Sequence, residues 1–176
     1  MPMTITNSDL FVVRQVTPID KQAVVHLIDV DDCLTRKPDG FDNVGMTKDD
    51  FFDASRSFPA NAAVADLARF LHGRGDRIAI GTARPADRMD ETIEWLDRHN
   101  IPYDTVMLST CVEPSGITKQ AMLQQLQHDY RMVGTMIDDS PYNIKGGHIQ
   151  GVDTIHLDTN SEYWDAHPEN VWAYGL

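Results

Sequence analysis

Three carboxylates, Asp29, Asp31 and Asp32, follow a short apolar run in the stretch Val24–Thr35, and a second acidic pair, Asp138 and Asp139, ends the run Arg131–Asp139. Like charges this close are costly unless a cation or a shared proton compensates them. In extended backbone Asp29 and Asp31 would share one face. Between the two acidic clusters, Thr82 ends a third apolar run, Arg77–Thr82, with Arg84 just beyond it. Lys119 falls in the first turn of a helical pattern, Gly116–Tyr130. A lysine at a helix start opposes the macrodipole, a small penalty that either function or chance explains. If the runs end on one edge of a parallel sheet, four acids, a hydroxyl and one or two cations converge there. A divalent cation bound in such a set would reverse the local field and admit an anionic substrate.

The elements that must position these groups are legible as alternating strands and helices. Short β-branched runs read as buried strands, and apolar residues three and four apart read as helix faces. Pro59 is expected to open a helix with Val64, Leu67, Ala68 and Leu71 inward, ended by Gly73 and Gly75. Asp87–Asn100 carries Met89, Ile93 and Leu96 on one face, with Trp95 beside it as a packing residue. Pro102–Leu108 and Val152–Leu157 read as further strands, Ser140–Ile149 as a short helix, and Leu10–Val16 as an edge strand or ribbon. The polar stretch 36–57 begins just beyond the strand that leads to Asp29. It is expected to carry one short helix at Thr47–Ala54, capped by Thr47, and to cover the site in part. Strand–helix units in series imply a largely parallel sheet with helices on both faces, and the strand ends that carry the acids form its carboxyl edge.

Composition narrows the classes. The 176 residues suit one domain, read as spanning 1–176, and 41% hydrophobic content supports a core. The formal charge of −12 disfavours a non-specific grip on long nucleic acid. It leaves room for a small phosphorylated substrate. Cys33 and Cys111 match neither a disulfide framework nor a zinc spacing, so both are expected as reduced thiols in a cytoplasmic protein. No membrane span or signal-peptide pattern is read, and a homo-oligomer is left open.

The first cluster, Asp-Val-Asp-Asp-Cys, resembles the first motif of the haloacid-dehalogenase (HAD) phosphohydrolase superfamily, Asp-x-Asp-x-Thr/Val. Thr82 matches its second motif, Lys119 its third, and Asp138-Asp139 its fourth. Cys33 stands where Thr or Val is usual, and Asp32 where Gly is common. Gly81–Pro85 and Thr92–Asp104 are most similar to the phosphatase domain of polynucleotide kinase/phosphatases, whereas Ser140-Pro141 with Asn143-Ile144 resembles deoxyribonucleotidases. The resemblance implies a three-layer Rossmann-like α/β fold with little or no cap and a Mg²⁺-dependent phosphomonoesterase. Its implied substrate is a polynucleotide 3′-phosphate end or, alternatively, a 5′(3′)-nucleotide or other small phosphoester. It also implies roles: Asp29 as nucleophile, Asp31 as proton donor and then base, and Thr82, Lys119 and Arg84 as binders of phosphate oxygens. Asp29, Asp138, Asp139 and the backbone carbonyl of Asp31 would surround the metal. His26 reads as a core residue and not a ligand. The aromatic residues Tyr163, Trp164, Trp172 and Tyr174 read as packing the C-terminal tail onto the sheet, with base stacking as the alternative.

Overall fold

The computed structural model describes residues 9–110 and 115–157. Their elements are β1 (Phe11–Gln15), β2 (Val24–Ile28), α1 (Lys48–Ser55), α2 (Ala62–Gly73), β3 (Arg77–Pro85), α3 (Met89–Arg98), β4 (Thr105–Ser109), α4 (Ser115–Asp129), β5 (Met132–Asp138), α5 (Pro141–Ile149) and β6 (Thr154–His156). The strands form a six-stranded sheet in the order β1-β4-β3-β2-β5-β6. β1 is antiparallel to β4, and the other four pairings are parallel. The edge-strand reading of Leu10–Val16 is thus borne out as β1.

Alternation along the strands feeds two cores. Ile28, Ile78, Ile80 and Val106 pack with Val64, Ala68, Leu71, Trp95 and Leu96 of α2 and α3 on one face. Val25, Leu27, Ala79 and Met107 pack with Met122, Leu123, Leu126 and Ile144 of α4 and α5 on the other. Trp95 packs as expected: it is 1% exposed and donates its indole N–H to the Phe58 carbonyl at 2.9 Å.

The order of the strands sets where a site forms. From β2 the chain proceeds through β3 and β4 to one side, then returns to lay β5 and β6 on the other. β2 and β5 therefore flank the point where the winding reverses, and open α/β sheets have their crevice there, beyond the carboxyl ends of the strands. Asp29 follows β2 directly and Asp138 ends β5.

Two local expectations differ from the structure. Pro59 does not open α2, which begins at Ala62 with Asn61 as its N-cap. The Pro59 carbonyl instead accepts from the Arg36 amide at 2.9 Å, and Asn61 donates to Leu34 at 2.7 Å. These bonds frame a bridge between Thr35 and Ala60 that ties both ends of the segment 36–59 together. The α-helix after β3 starts at Met89, not Asp87, because Ala86–Arg88 form a 3-10 turn that leads from the end of β3 at Pro85 into α3. Among the described residues no helix is long and apolar enough to cross a membrane. Cys111 and the aromatic tail lie outside the described residues.

Candidate active site

Asp29 leaves β2 in extended conformation, and the chain then makes one wide turn in which the Thr35 amide donates to the Val30 carbonyl at 2.9 Å. Asp32 takes φ 57° in that turn. This left-handed conformation suits glycine, and aspartate tolerates it better than most residues, which accounts for the departure from Gly at this position. Because the chain turns here, Asp29 and Asp31 do not form the side-by-side pair expected of extended backbone. Each engages a different cation.

Lys119 is the hub of the first set. It is 1% exposed, and its Nζ donates to Asp29 Oδ1 at 2.7 Å, to Asp138 Oδ2 at 2.9 Å and to the Gly81 carbonyl. Three acceptors satisfy the three ammonium donors. The approach depends on Gly81, where a β-carbon would stand 2.6 Å from Leu27 Cδ1 and 3.1 Å from Met122 Sδ. Lys119 thus ties Asp29 just past β2, Gly81 within β3 and Asp138 at the end of β5 together from the first turns of α4. The dipole penalty noted in the sequence is outweighed by two charge-assisted bonds.

Asp138 is buried and also accepts from the Ser140 amide at 2.9 Å and from Asn143 Nδ2 at 3.0 Å. Asn143, on α5, was not identified as a site residue from the sequence. Its position at the start of a helix directly after the acidic pair was the available signal.

Asp29, Asp138 and Asp139 bring carboxylate oxygens within 4.8 Å of one another. Burial raises the Asp29 carboxyl to about 7, against the pull of Lys119, and Asp138 pushes it further up. Burial likewise raises Asp139 to about 9, with Asp29 and Asp138 adding to the effect. Burial opposes the Lys119 charge, but Asp138 and Asp29 more than offset this and hold its pKa above the usual lysine value. Two buried carboxylates sharing one lysine, with the half-buried Asp139 carboxylate beside them, form a donor set that suits a hard divalent cation. The Asp31 side chain is not part of this set.

Asp31 faces the other way. Arg84 Nε and Nη2 clamp its two oxygens at 2.9 and 2.7 Å. Arg84, expected to bind phosphate oxygens, is 2% exposed, and a guanidinium removed from water needs its donors partnered within the protein. Its remaining bonds go to Ser55 Oγ at 2.8 Å and Thr92 Oγ1 at 3.3 Å. Neither hydroxyl was identified from sequence: Ser55 lies 29 residues before Arg84, and Thr92, eight residues after it, sits on a helix face read only as packing. Thr82, 1% exposed, lies two residues past Ile80, which pairs with Ile28, and its Oγ1 accepts from the Arg84 amide at 3.2 Å.

The Cys33 thiol is fully buried beneath the turn, and burial pushes its pKa up, so it sits there as a protonated, inert side chain. His26, as expected, is a core residue, paired with Asp76 at 2.9 Å. Beside the acidic turn, a polar cavity of about 420 Å³ is lined by Asp32, Thr35, Arg36, Lys37, Asp39 and Asn61.

No family model and no curated protein matches the sequence. Solved structures do. A chain of the Pnkp1/Rnl/Hen1 RNA repair complex superposes with a TM-score of 0.63 at 17% identity, over 82% of this chain and 45% of the other. A second structure of a Pnkp1/Rnl/Hen1 complex gives 0.61 at 18% identity, over 88% and 50%. The chain thus spans about half the length of these two relatives. A Mesorhizobium loti protein described as a HAD-like phosphatase gives 0.55 at 11% identity, over 86% of this chain and 80% of that one. With its parallel sheet, its winding reversal between β2 and β5 and its acidic strand ends, the chain has the fold of the HAD-like phosphatases.

Proposed function

We propose that the protein is a Mg²⁺-dependent phosphomonoesterase that works through an aspartyl-phosphate on Asp29. One observation carries this reading: Lys119 draws Asp29 and Asp138 together at the winding reversal, with Asp139 close enough to share a cation, while Asp31 stands apart on its own arginine. The set separates a nucleophile from a proton carrier. Asp29, Asp138 and Asp139 would hold the metal, with the Asp31 carbonyl beside them. When bound, the ion offsets the charge of the phosphoryl oxygens and so lets an anionic carboxylate approach them.

The protein's own residues then act in two steps. An Asp29 oxygen forms a bond to phosphorus as the bond from phosphorus to the ester oxygen breaks, and Asp31 passes its proton to that departing oxygen. Water next attacks the same phosphorus and gives its proton to Asp31. The bond from phosphorus to Asp29 breaks, inorganic phosphate leaves, and both carboxyl groups return to their starting forms. Lys119 and the Thr82 hydroxyl line the edge where the phosphoryl oxygens sit.

The substrate we propose is a polynucleotide 3′-phosphate end. The segment that could shield the site, residues 36–58, carries one eight-residue helix and no larger cap, which suits a bulky substrate, and the relatives in RNA repair complexes share the fold. The alternative is a 5′(3′)-nucleotidase, favoured by the −12 charge, which repels a polyanion. Turnover of a 3′-phosphorylated oligonucleotide compared with free 3′- and 5′-mononucleotides, in Mg²⁺, separates the two. Preference for the oligonucleotide supports the first, and preference for mononucleotides the second. No hydrolysis by the wild type on a broad phosphoester panel rejects both.

A further inference from the structure

We infer that Ser55, at the end of the covering helix α1, is a positioning residue for Asp31, acting through Arg84. The inference rests on the phosphatase reading and extends it to an element that carries no reacting group.

The observations are geometric. Arg84 is 2% exposed, whereas the Asp31 side chain is 20% exposed. The cation is therefore inside and the carboxylate at the rim, so the pair is not a solvated surface bridge. Arg84 Nη2 spends one hydrogen on Asp31 and the other on Ser55 Oγ, and Nη1 bonds Thr92 Oγ1. The two hydroxyls are themselves fixed. Ser55 donates to the Phe52 carbonyl at 2.8 Å, and Thr92 donates to the Arg88 carbonyl at 2.8 Å. The Phe52 ring lies 5.8 Å from the guanidinium carbon. The guanidinium is thus held from α1, from α3 and from its own strand, β3.

A bidentate clamp fixes the plane of the carboxylate as well as its position. It uses one lone pair on each oxygen and leaves others for proton exchange with the substrate. Proton transfer at a departing oxygen is sensitive to displacement of the donor by a fraction of an ångström. Loss of the Ser55 hydroxyl frees one guanidinium hydrogen and lets Arg84, with Asp31, tilt. Ser55 also lies in the last turn of α1, so one hydrogen bond links that helix to the arginine that holds the proton carrier.

The test uses leaving groups. Ser55→Ala and, as a second variant that keeps side-chain volume, Thr92→Val are assayed with Mg²⁺ on a 3′-phosphorylated oligonucleotide and on p-nitrophenyl phosphate. The ratio kcat/KM reports steps up to departure of the leaving group. An alkoxide needs the proton from Asp31, and p-nitrophenolate leaves without it. The expected result for Ser55→Ala is about a tenfold fall in kcat/KM on the oligonucleotide, a part of the roughly 10²–10⁴-fold that proton transfer contributes, and no more than about a twofold fall on the aryl ester. Thr92→Val should show the same selectivity with a smaller loss, and thermal unfolding should find both variants folded. Equal losses on both substrates, or none on either, in an active protein would overturn the positioning role while leaving the phosphatase reading intact. A wild type inactive on both substrates would overturn the phosphatase reading and this inference with it.

Discussion

At the scale of single residues, the site is a problem in charge balance. Lys119 is the cation nearest to Asp29 and Asp138, both of them buried. Replacing it with methionine, of similar length, would leave two buried carboxylates without their partner. Removing one member of a buried pair costs about 3–5 kcal/mol. Lys119→Met should therefore unfold at markedly lower urea concentration and lose phosphatase activity, with added Mg²⁺ restoring part of the stability. A variant as stable as the wild type would show that the lysine does not neutralise the acids.

The same residues predict a pH dependence. The carboxyl groups of Asp29 and Asp139 rise from an ordinary value of 3.8 to about 7 and about 9. Across that window the folded protein keeps protons that the unfolded chain has released, so stability falls as pH rises towards 9. A cation that binds the ionised forms competes with those protons and gains affinity as they leave. Thermal unfolding in chelator should drop between pH 5 and pH 9, on the order of the window these shifts define. The difference made by Mg²⁺ should widen over the same range. A Mg²⁺ effect independent of pH would contradict the assignment of these acids as its ligands. Most of this set could be read from sequence because each acid ends an apolar run. Arg84 could not: an arginine after a strand looks like a surface residue, and its partners Asp31 and Ser55 are 53 and 29 residues away.

At the scale of elements, the site depends on close approach and on capping. Gly81 lets α4 bring Lys119 against β3. Gly81→Ala would force a β-carbon against Leu27, which is fully buried, and overpacking of this kind costs about 1–3 kcal/mol. The variant should melt earlier and should lose activity beyond what its loss of stability explains, because Lys119 would be displaced. Thr47 caps α1 as its sequence suggests, accepting from the Asp50 amide at 3.1 Å. Thr47→Ala should cost about 0.5–2 kcal/mol of helix stability, read as faster amide exchange in α1 with little change in the sheet. The cap is legible because it lies within one turn of sequence. The role of Pro59 was not, because the bridge that recruits its carbonyl joins segments separated by the whole covering loop.

At the scale of the whole molecule, strand order does what no local pattern reveals. The sequence supports a parallel sheet but not the placement of β5 beside β2, and that adjacency brings Asp138 to Asp29. If Asp29 is the nucleophile, it becomes phosphorylated during turnover. The most direct measurement is borohydride reduction of the protein quenched during turnover, followed by peptide mass spectrometry. Reduction of an acyl phosphate converts the aspartate to homoserine. Homoserine is expected at position 29, dependent on substrate and Mg²⁺. Turnover with no modified residue at Asp29, or with the modification on another carboxylate, would contradict it.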